Sequence, residues 1–169
     1  RSGVTHGLTR VRSLTQDDAH IFCAPEQIEQ ELTNFIAMLE KSYTKFNFSN
    51  LEVILSLRPE KRVGSEEMWD KAETILEKVL ISSKLNYKSH EGAGAFYGPK
   101  IDFFVPDSIG RKWQLGTVQL DFSMPDRFDL EYISDQGSRE RPVVIHRATL
   151  GSLDRFLGVL TEHYSGAFP

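Results

Sequence analysis

The side chains that could do chemistry fall into a few groups. His20 lies in Gln16-Asp17-Asp18-Ala19-His20 and His146 in Val143-Val144-Ile145-His146-Arg147, each in or beside a run that reads as a buried strand. Such a place is unusual for a side chain that titrates near neutrality. Neither belongs to a tight metal motif such as HExxH, so spacing leaves two readings open. Each is a core histidine satisfied by hydrogen bonds, or the two are neutral imidazole ligands of a zinc ion that needs a third ligand from elsewhere. A glycine-rich turn at residues 91–99 runs into Tyr97 and Lys100. It could bring backbone, an aromatic wall with a hydroxyl, and a positive charge up to a ligand, or it is a plain hairpin loop. Arg155 stands in the first turn of a helix that Ser152 can cap, where a cation opposes the positive helix end and suits a bound anion. A solvated surface arginine is the other reading, and Arg10 and Arg12 invite the same pair. Cys23 follows a phenylalanine and reads as a small buried apolar residue, and no Ser-His-Asp or Cys-His arrangement stands out.

These groups need elements to hold them. Residues 8–22 read as a turn feeding a strand, and Pro25 opens a helix at a position where its missing N–H does no harm. Ile28, Leu32, Phe35, Ile36, Leu39, Tyr43 and Phe46 then recur at steps of three and four, the spacing of one helical stripe. Residues 51–57 (LEVILSL) read as a mostly buried strand, followed by a solvated loop through Glu60, Lys61 and Arg62. Gly64-Ser65 caps a second amphipathic helix with Met68, Trp69, Ala72, Ile75, Leu76, Val79 and Leu80 on its stripe. Further strands are expected at residues 85–89, 100–105, 112–122, 128–133 and 142–147. A hairpin turn falls at Pro106-Asp107 and Ile109-Gly110. The closing helix carries Phe156, Leu157, Leu160 and Tyr164 on its apolar face. Hairpin-linked strands without regular strand–helix alternation predict an α+β fold with a mainly antiparallel sheet, in one unit.

The 169 residues suffice for a substantial core, and 40% hydrophobic with 26% charged residues is the balance of a globular protein. A net charge of -4 and a pI of 5.7 give no hint of RNA, since compact nucleic-acid modules are usually basic. One cysteine allows no internal disulfide and suits a reducing compartment, the expectation here being the cytoplasm. No apolar stretch approaches a membrane span. Arg1-Ser2-Gly3 reads as the middle of a loop and the ending at Phe168-Pro169 as a cut, which predicts a piece of a longer chain.

Five stretches, taken in order, resemble the threonyl-tRNA synthetase family closely. They are HGLTRVRSLTQDDAHIFC (residues 6–23), LRPEKRVGSEEMWDKAE (57–73), EGAGAFYGPKIDF (91–103), WQLGTVQLDFSMPDRFDLEY (113–132) and PVVIHRATLGSLDRF (142–156). Together they span nearly the whole chain, and other class II synthetases share the plan but not these strings. The resemblance implies the class II catalytic fold, an antiparallel sheet flanked by helices. Residues 1–169 would run from late in the second class II motif through the third, N-terminally incomplete, with no editing or anticodon-binding domain. It further implies activation of threonine with ATP and transfer to tRNA(Thr), by a parent that is a homodimer while this segment alone is inert.

By the same resemblance, His20 and His146 are two of three protein ligands of an active-site zinc, the third being a Cys upstream of this chain. Cys23 does not match that position, so the segment alone should hold zinc poorly. Asp18 and Tyr97 match residues that hold the threonine amino group, with Gln16 beside them. Lys100, Gln114 and Gln119 match positions lining the substrate and adenylate cleft. Ser152 and Arg155 match the third motif, whose Arg contacts ATP, and Arg10 matches a second ATP-contacting Arg, with Mg²⁺ bridging the phosphates. Leu14 stands where the family usually places a Phe that stacks on adenine, and the chain begins just after the Arg that grips the α-phosphate. Two other readings are a synthetase-like paralogue retained for binding or regulation, and an unrelated binding module whose histidines are purely structural.

Overall fold

The protein is described by a computed structural model over residues 4–168, so the loop expected at residues 1–3 lies outside the described residues. Eight strands and four α-helices follow in the order β1 (Ala19–Cys23), α1 (Ile28–Lys45), β2 (Glu52–Ser56), α2 (Glu66–Ser82), β3 (Tyr87–His90), β4 (Lys100–Pro106), β5 (Lys112–Asp121), α3 (Ser123–Arg127), β6 (Tyr132–Ile133), β7 (Arg139–Glu140), β8 (Val143–Ala148) and α4 (Leu153–His163). Six strands form one sheet in the order β1-β8-β5-β4-β2-β3. Every pairing in it is antiparallel except β2 with β3, which are joined through α2 and run parallel, as a helical crossover requires. The α+β expectation with a mainly antiparallel sheet is met.

The helices form where the spacing predicts. Ile28, Leu32, Phe35, Ile36, Leu39 and Tyr43 of α1 are all buried, and Pro25–Gln27 is a 3₁₀ turn leading into the helix. Ser65 caps α2 by accepting from the Met68 amide, and Ser152 caps α4 by accepting from the Arg155 amide. Their stripes cover one face of the sheet, where Leu55, Ile101, Phe103, Val118, Leu120 and Ile145 are 0–2% exposed. Strand side chains alternate between faces, so the residues between these point the other way, away from the helices. Those intervening residues are polar: Ser56, Lys100, Asp102, Thr117, Gln119, Asp121 and His146.

Four expectations need correction. The strand expected after a turn within residues 8–22 is regular only from Ala19, because His6, Leu8 and Arg10 bridge to one another and residues 15–17 bond to residues 149–154. His20 therefore sits on an edge strand with its side chain 45% exposed rather than buried. Residues 128–133 do not join the main sheet. Asp121 caps the backbone at Ser123 and Met124, turning the chain into α3, and only Tyr132–Ile133 pairs, with β7 in a two-stranded ribbon. On α4 it is Val159 that is buried, while Leu157 is 48% exposed. Arg62 is not freely solvated, since it bonds the Pro59 carbonyl and pairs with Glu66.

One irregularity matters later. The β4–β5 register shifts between Asp102 and Phe104, so that Leu115 and Gly116 together oppose Phe103. The buried Tyr43 hydroxyl holds this bulge, accepting from the Gly116 amide at 2.9 Å and donating to the Thr149 carbonyl at 2.8 Å. A Cβ at position 116 would lie 2.7 Å from Leu39 Cδ1 and 3.0 Å from the Thr149 oxygen, so glycine is required there. Tyr43→Phe leaves both partners buried and unbonded, and equilibrium urea unfolding should show a loss of about 1–3 kcal/mol.

The β4–β5 hairpin turn is where the sequence predicts it, and Asp107 is its anchor. Its carboxylate accepts from the Ile109 and Arg111 amides, Arg111 Nε and Trp113 Nε1 at 2.6–3.1 Å. Burial pushes the Asp107 carboxyl up, but these donors outweigh it and hold the group at about 2. A depressed folded-state value stabilises the fold above the ordinary carboxyl range, and that stability is lost as pH falls toward 2. Thermal unfolding followed from pH 5 to pH 2 should therefore steepen in the wild type and flatten in Asp107→Asn.

Candidate active site

Strand register assembles the polar face. His20 pairs with His146, His146 with Gln119, Gln119 with Lys100, and Lys100 with Ser56. Directly opposed residues share a face, so these five form one row across β1, β8, β5, β4 and β2, roughly 19 Å long at the usual strand spacing. Sequence reading named four of the five as separate candidates. That they lie in a single row follows from long-range pairing, which local pattern does not encode.

At one end the two imidazole rings stand 4.6 Å apart, centroid to centroid, and near perpendicular at 81°. His146 Nε2 is 3.0 Å from an oxygen of Asp121, a carboxylate with no side-chain exposure that also accepts from the Ser123 and Met124 amides. An ionised carboxylate only accepts, so a neutral His146 carries its proton on Nε2 and keeps the lone pair on Nδ1. That is the orienting arrangement of a metal-ligating histidine. Asp18 reaches His20 only at 3.9 Å, with both side chains 45% exposed. Tyr97 packs its ring 5.6 Å from His146, and its hydroxyl is pushed up by burial first and then by the charges of Asp121 and Asp18. Among the described residues no group of three His, Cys, Asp or Glu side chains is placed to hold a metal. Cys23 lies in the core, with burial pushing its thiol up to about 11.

The glycine-rich turn delivers Tyr97 by close backbone approach. The Gly94 amide donates to the Leu57 carbonyl at 2.7 Å, and a Cβ there would lie 2.6 Å from that oxygen. At Gly98 a Cβ would collide with the Leu120 carbonyl, while the Gly98 carbonyl accepts from Gln119 Nε2 at 2.9 Å. Next along the row, Lys100 Nζ pairs with buried Asp102 at 2.8 Å, and Gln114 Nε2 bonds the same carboxylate at 2.6 Å.

A cationic group lies off the row, beside Gln114 of β5. Arg155 is half-buried, donating to the Thr9 carbonyl at 3.0 Å and the Gln114 carbonyl at 3.2 Å, with its guanidinium 5.6 Å from the Trp113 ring. Burial, and then the charge of Arg10, lowers its proton affinity. Among the described residues neither Arg155 nor Arg10 has a carboxylate partner, so two cations face one place without a counter-ion. Gln16 and Leu14 are exposed beside them, and Gln16 bridges to Ser152. Ser152 spends its hydroxyl on the helix cap. Asp17, which the sequence reading passed over, ties this region together by accepting from the Thr149, Leu150 and Gly151 amides at 2.9–3.1 Å. A hollow of about 460 Å³ lined by Leu51, Tyr87, Phe104 and Pro106 lies at the far edge of the sheet and shares no residue with the row.

Comparison with known proteins decides the family. Residues 1–164 match the family described as tRNA synthetase class II core domain (G, H, P, S and T). The chain belongs to that family. Within the class II synthetases it is 56% identical over 168 residues to the threonine–tRNA ligase of Methylococcus capsulatus and 54% identical over 169 residues to that of Nautilia profundicola. These alignments cover 99–100% of the chain and 26–28% of the relatives, so the chain spans about a quarter of their length. A solved class II neighbour, described as the RNA binding domain of threonyl-tRNA synthetase from Cryptosporidium parvum, superposes with a TM-score of 0.92 at 46% identity over 97% of the chain. Histidyl-tRNA synthetase of S. aureus shares the fold at a TM-score of 0.61 and 14% identity.

The Asp121 contact fixes the histidine tautomer. Nitrogen-15 NMR of the metal-free protein near pH 7.5 should show His146 as the Nε2–H form, and an Nδ1–H form would contradict the geometry.

Proposed function

We propose that this chain is most of a threonyl-tRNA synthetase catalytic domain, from late in the second class II motif through the third, and that the protein carrying it activates threonine with ATP and charges tRNA(Thr). The observation that carries the reading is the row His20–His146–Gln119–Lys100 on the open sheet face, in a chain 54–56% identical to threonine–tRNA ligases throughout. In the first step a threonine carboxylate oxygen bonds to the α-phosphorus while the bond to the leaving pyrophosphate breaks. The carboxylate is already ionised near neutrality, so no general base is required, and the work is charge neutralisation and alignment. Arg155 and Arg10 receive the phosphates of ATP, whose Mg²⁺ would neutralise part of their charge, and Lys100 neutralises charge near the reacting carboxylate. Gln16, Gln114, Gln119 and Ser152 line the cleft, and Asp18 and Tyr97 hold the threonine amino group.

His20 and His146 fit two positions of a zinc site, with Asp121 orienting His146, and the third donor is the Cys that the family resemblance places upstream. When bound, the zinc would recognise the amino and hydroxyl groups of threonine. A site built to engage the hydroxyl rejects valine strongly, whereas serine lacks only a methyl, worth roughly 1–3 kcal/mol. We further place the protein in the cytoplasm, as a homodimer and off the membrane. Among the described residues no helix is long and apolar enough to cross one.

Threonine-dependent exchange of labelled pyrophosphate into ATP tests the reading in the full-length protein. Exchange should fall at least about 100-fold in Arg155→Ala, and His146→Ala should lose bound zinc, read by elemental analysis. Wild-type protein that exchanges no pyrophosphate with threonine, while binding it or another ligand, would overturn the assignment.

A further inference from the structure

Asp102 is 4% exposed; it lies within the stretch at residues 91–103 but has no role among the proposed contacts. Its carboxylate is nevertheless the most heavily bonded group on the functional face. One oxygen accepts from Lys100 Nζ at 3.1 Å, Gln114 Nε2 at 2.6 Å and Thr117 Oγ1 at 3.0 Å. The other accepts from Ser56 Oγ at 3.0 Å and Lys100 Nζ at 2.8 Å. A carboxylate offers about four lone-pair directions, so its acceptor capacity is filled by protein. Gln114 and Thr117 are three residues apart and would normally face opposite sides of a strand. Both reach Asp102 because the bulge at Leu115 and Gly116 adds one residue between them.

We infer that Asp102 is a positioning residue for amino-acid activation, fixing how Lys100 and Gln114 meet the substrate. This rests on the reading of the site proposed above. The effect on each partner follows from hydrogen-bond valence. An ionised carboxylate cannot donate, so Gln114 must turn its NH₂ toward Asp102 and its carbonyl oxygen toward the cleft. Lys100 is held by one partner, both oxygens of Asp102, on a side chain still 24% exposed, and has a further N–H donor for a ligand oxygen. Gln119 is set the same way by the Gly98 carbonyl, which also only accepts. The face therefore presents one oriented cation between two oriented amide acceptors, a pattern complementary to an amino acid that brings both a carboxylate and an ammonium group. Ordering them before the substrate arrives removes that entropy from the binding step.

The test is a double-mutant cycle on the full-length protein, read by threonine-dependent pyrophosphate exchange. Asp102→Asn should lower kcat/KM for threonine by about 10- to 100-fold, while the KM for ATP moves less than threefold. In a Lys100→Ala background the same substitution should cost no more than about threefold, since its main partner is already gone. Full, additive loss in that background would show a merely structural role and overturn the inference. If Lys100→Ala alone keeps full exchange, the assignment of Lys100 fails and the inference falls with it. If Lys100→Ala is impaired while folded Asp102→Asn is not, the inference alone fails. Should Asp102→Asn not fold, Thr117→Val removes one tether at similar volume. It should lower kcat/KM for threonine at least threefold, and an unchanged value would likewise overturn the proposal.

Discussion

The functional face depends on ladder register. His20, His146, Gln119, Lys100 and Ser56 are one row only because four successive pairings are in step. A slip of one residue in any strand would turn its polar members into the helix-covered core and expose Ile101, Leu120 or Ile145. The apolar face and the polar face thus specify each other. The stripes of α1 and α2 bury one set of alternating residues, and that burial selects the register presenting the other set. Hydrophobic burial is non-directional, but on a period-two strand it fixes direction for every side chain, including those that contribute nothing to it.

Three carboxylates convert this array into a shaped site. Asp121 orients His146, Asp102 orients Lys100 and Gln114, and Asp17 gathers the backbone amides before α4. Asp102 and Asp121 are buried, where an uncompensated charge is costly, and each is offset by several donors rather than by one ion pair. Because an ionised carboxylate accepts and never donates, each dictates the orientation of whatever surrounds it. An amide or hydroxyl in those positions would satisfy hydrogen-bond counts while leaving the partners free to flip.

Much of this was legible in the sequence, and the gaps have physical causes. The stripes of α1 and α2, the serine caps, the β4–β5 turn and the α+β class follow from local spacing and local hydrogen-bond chemistry. The strand misread at residues 128–133 failed because Asp121 caps the chain into α3, a side-chain event within an apolar run that periodicity does not register. Regular pairing before Ala19 was overestimated because residues 15–17 bond to residues more than 130 positions away. The candidate residues His20, His146, Tyr97, Lys100, Arg155 and the glutamines were named from motif and resemblance. Asp17, Asp102 and Asp121 were not, since an aspartate in a strand looks the same in sequence whether it is solvated or the hub of a buried cluster. A carboxylate two residues from a candidate lysine on the same predicted strand is the one local sign that could have flagged Asp102.

The charge distribution resolves a tension that bulk composition leaves standing, namely how a chain of net charge -4 would receive a polyphosphate. Among the described residues nine of its cations are paired with its own acids, including Arg58 with Glu66, Asp70 and Glu73, Arg111 with Asp107, Arg141 with Asp126 and Asp129, and Lys88 and Lys112 with Glu52. Arg155 and Arg10 differ, because carbonyl groups and mutual repulsion surround Arg155 where others have carboxylates. Half-buried, it pays part of the desolvation cost in the folded protein rather than on binding. An anion placed there would meet one arginine already partly stripped of water and without a carboxylate partner among the described residues, which strengthens the attraction beyond what an exposed basic patch supplies.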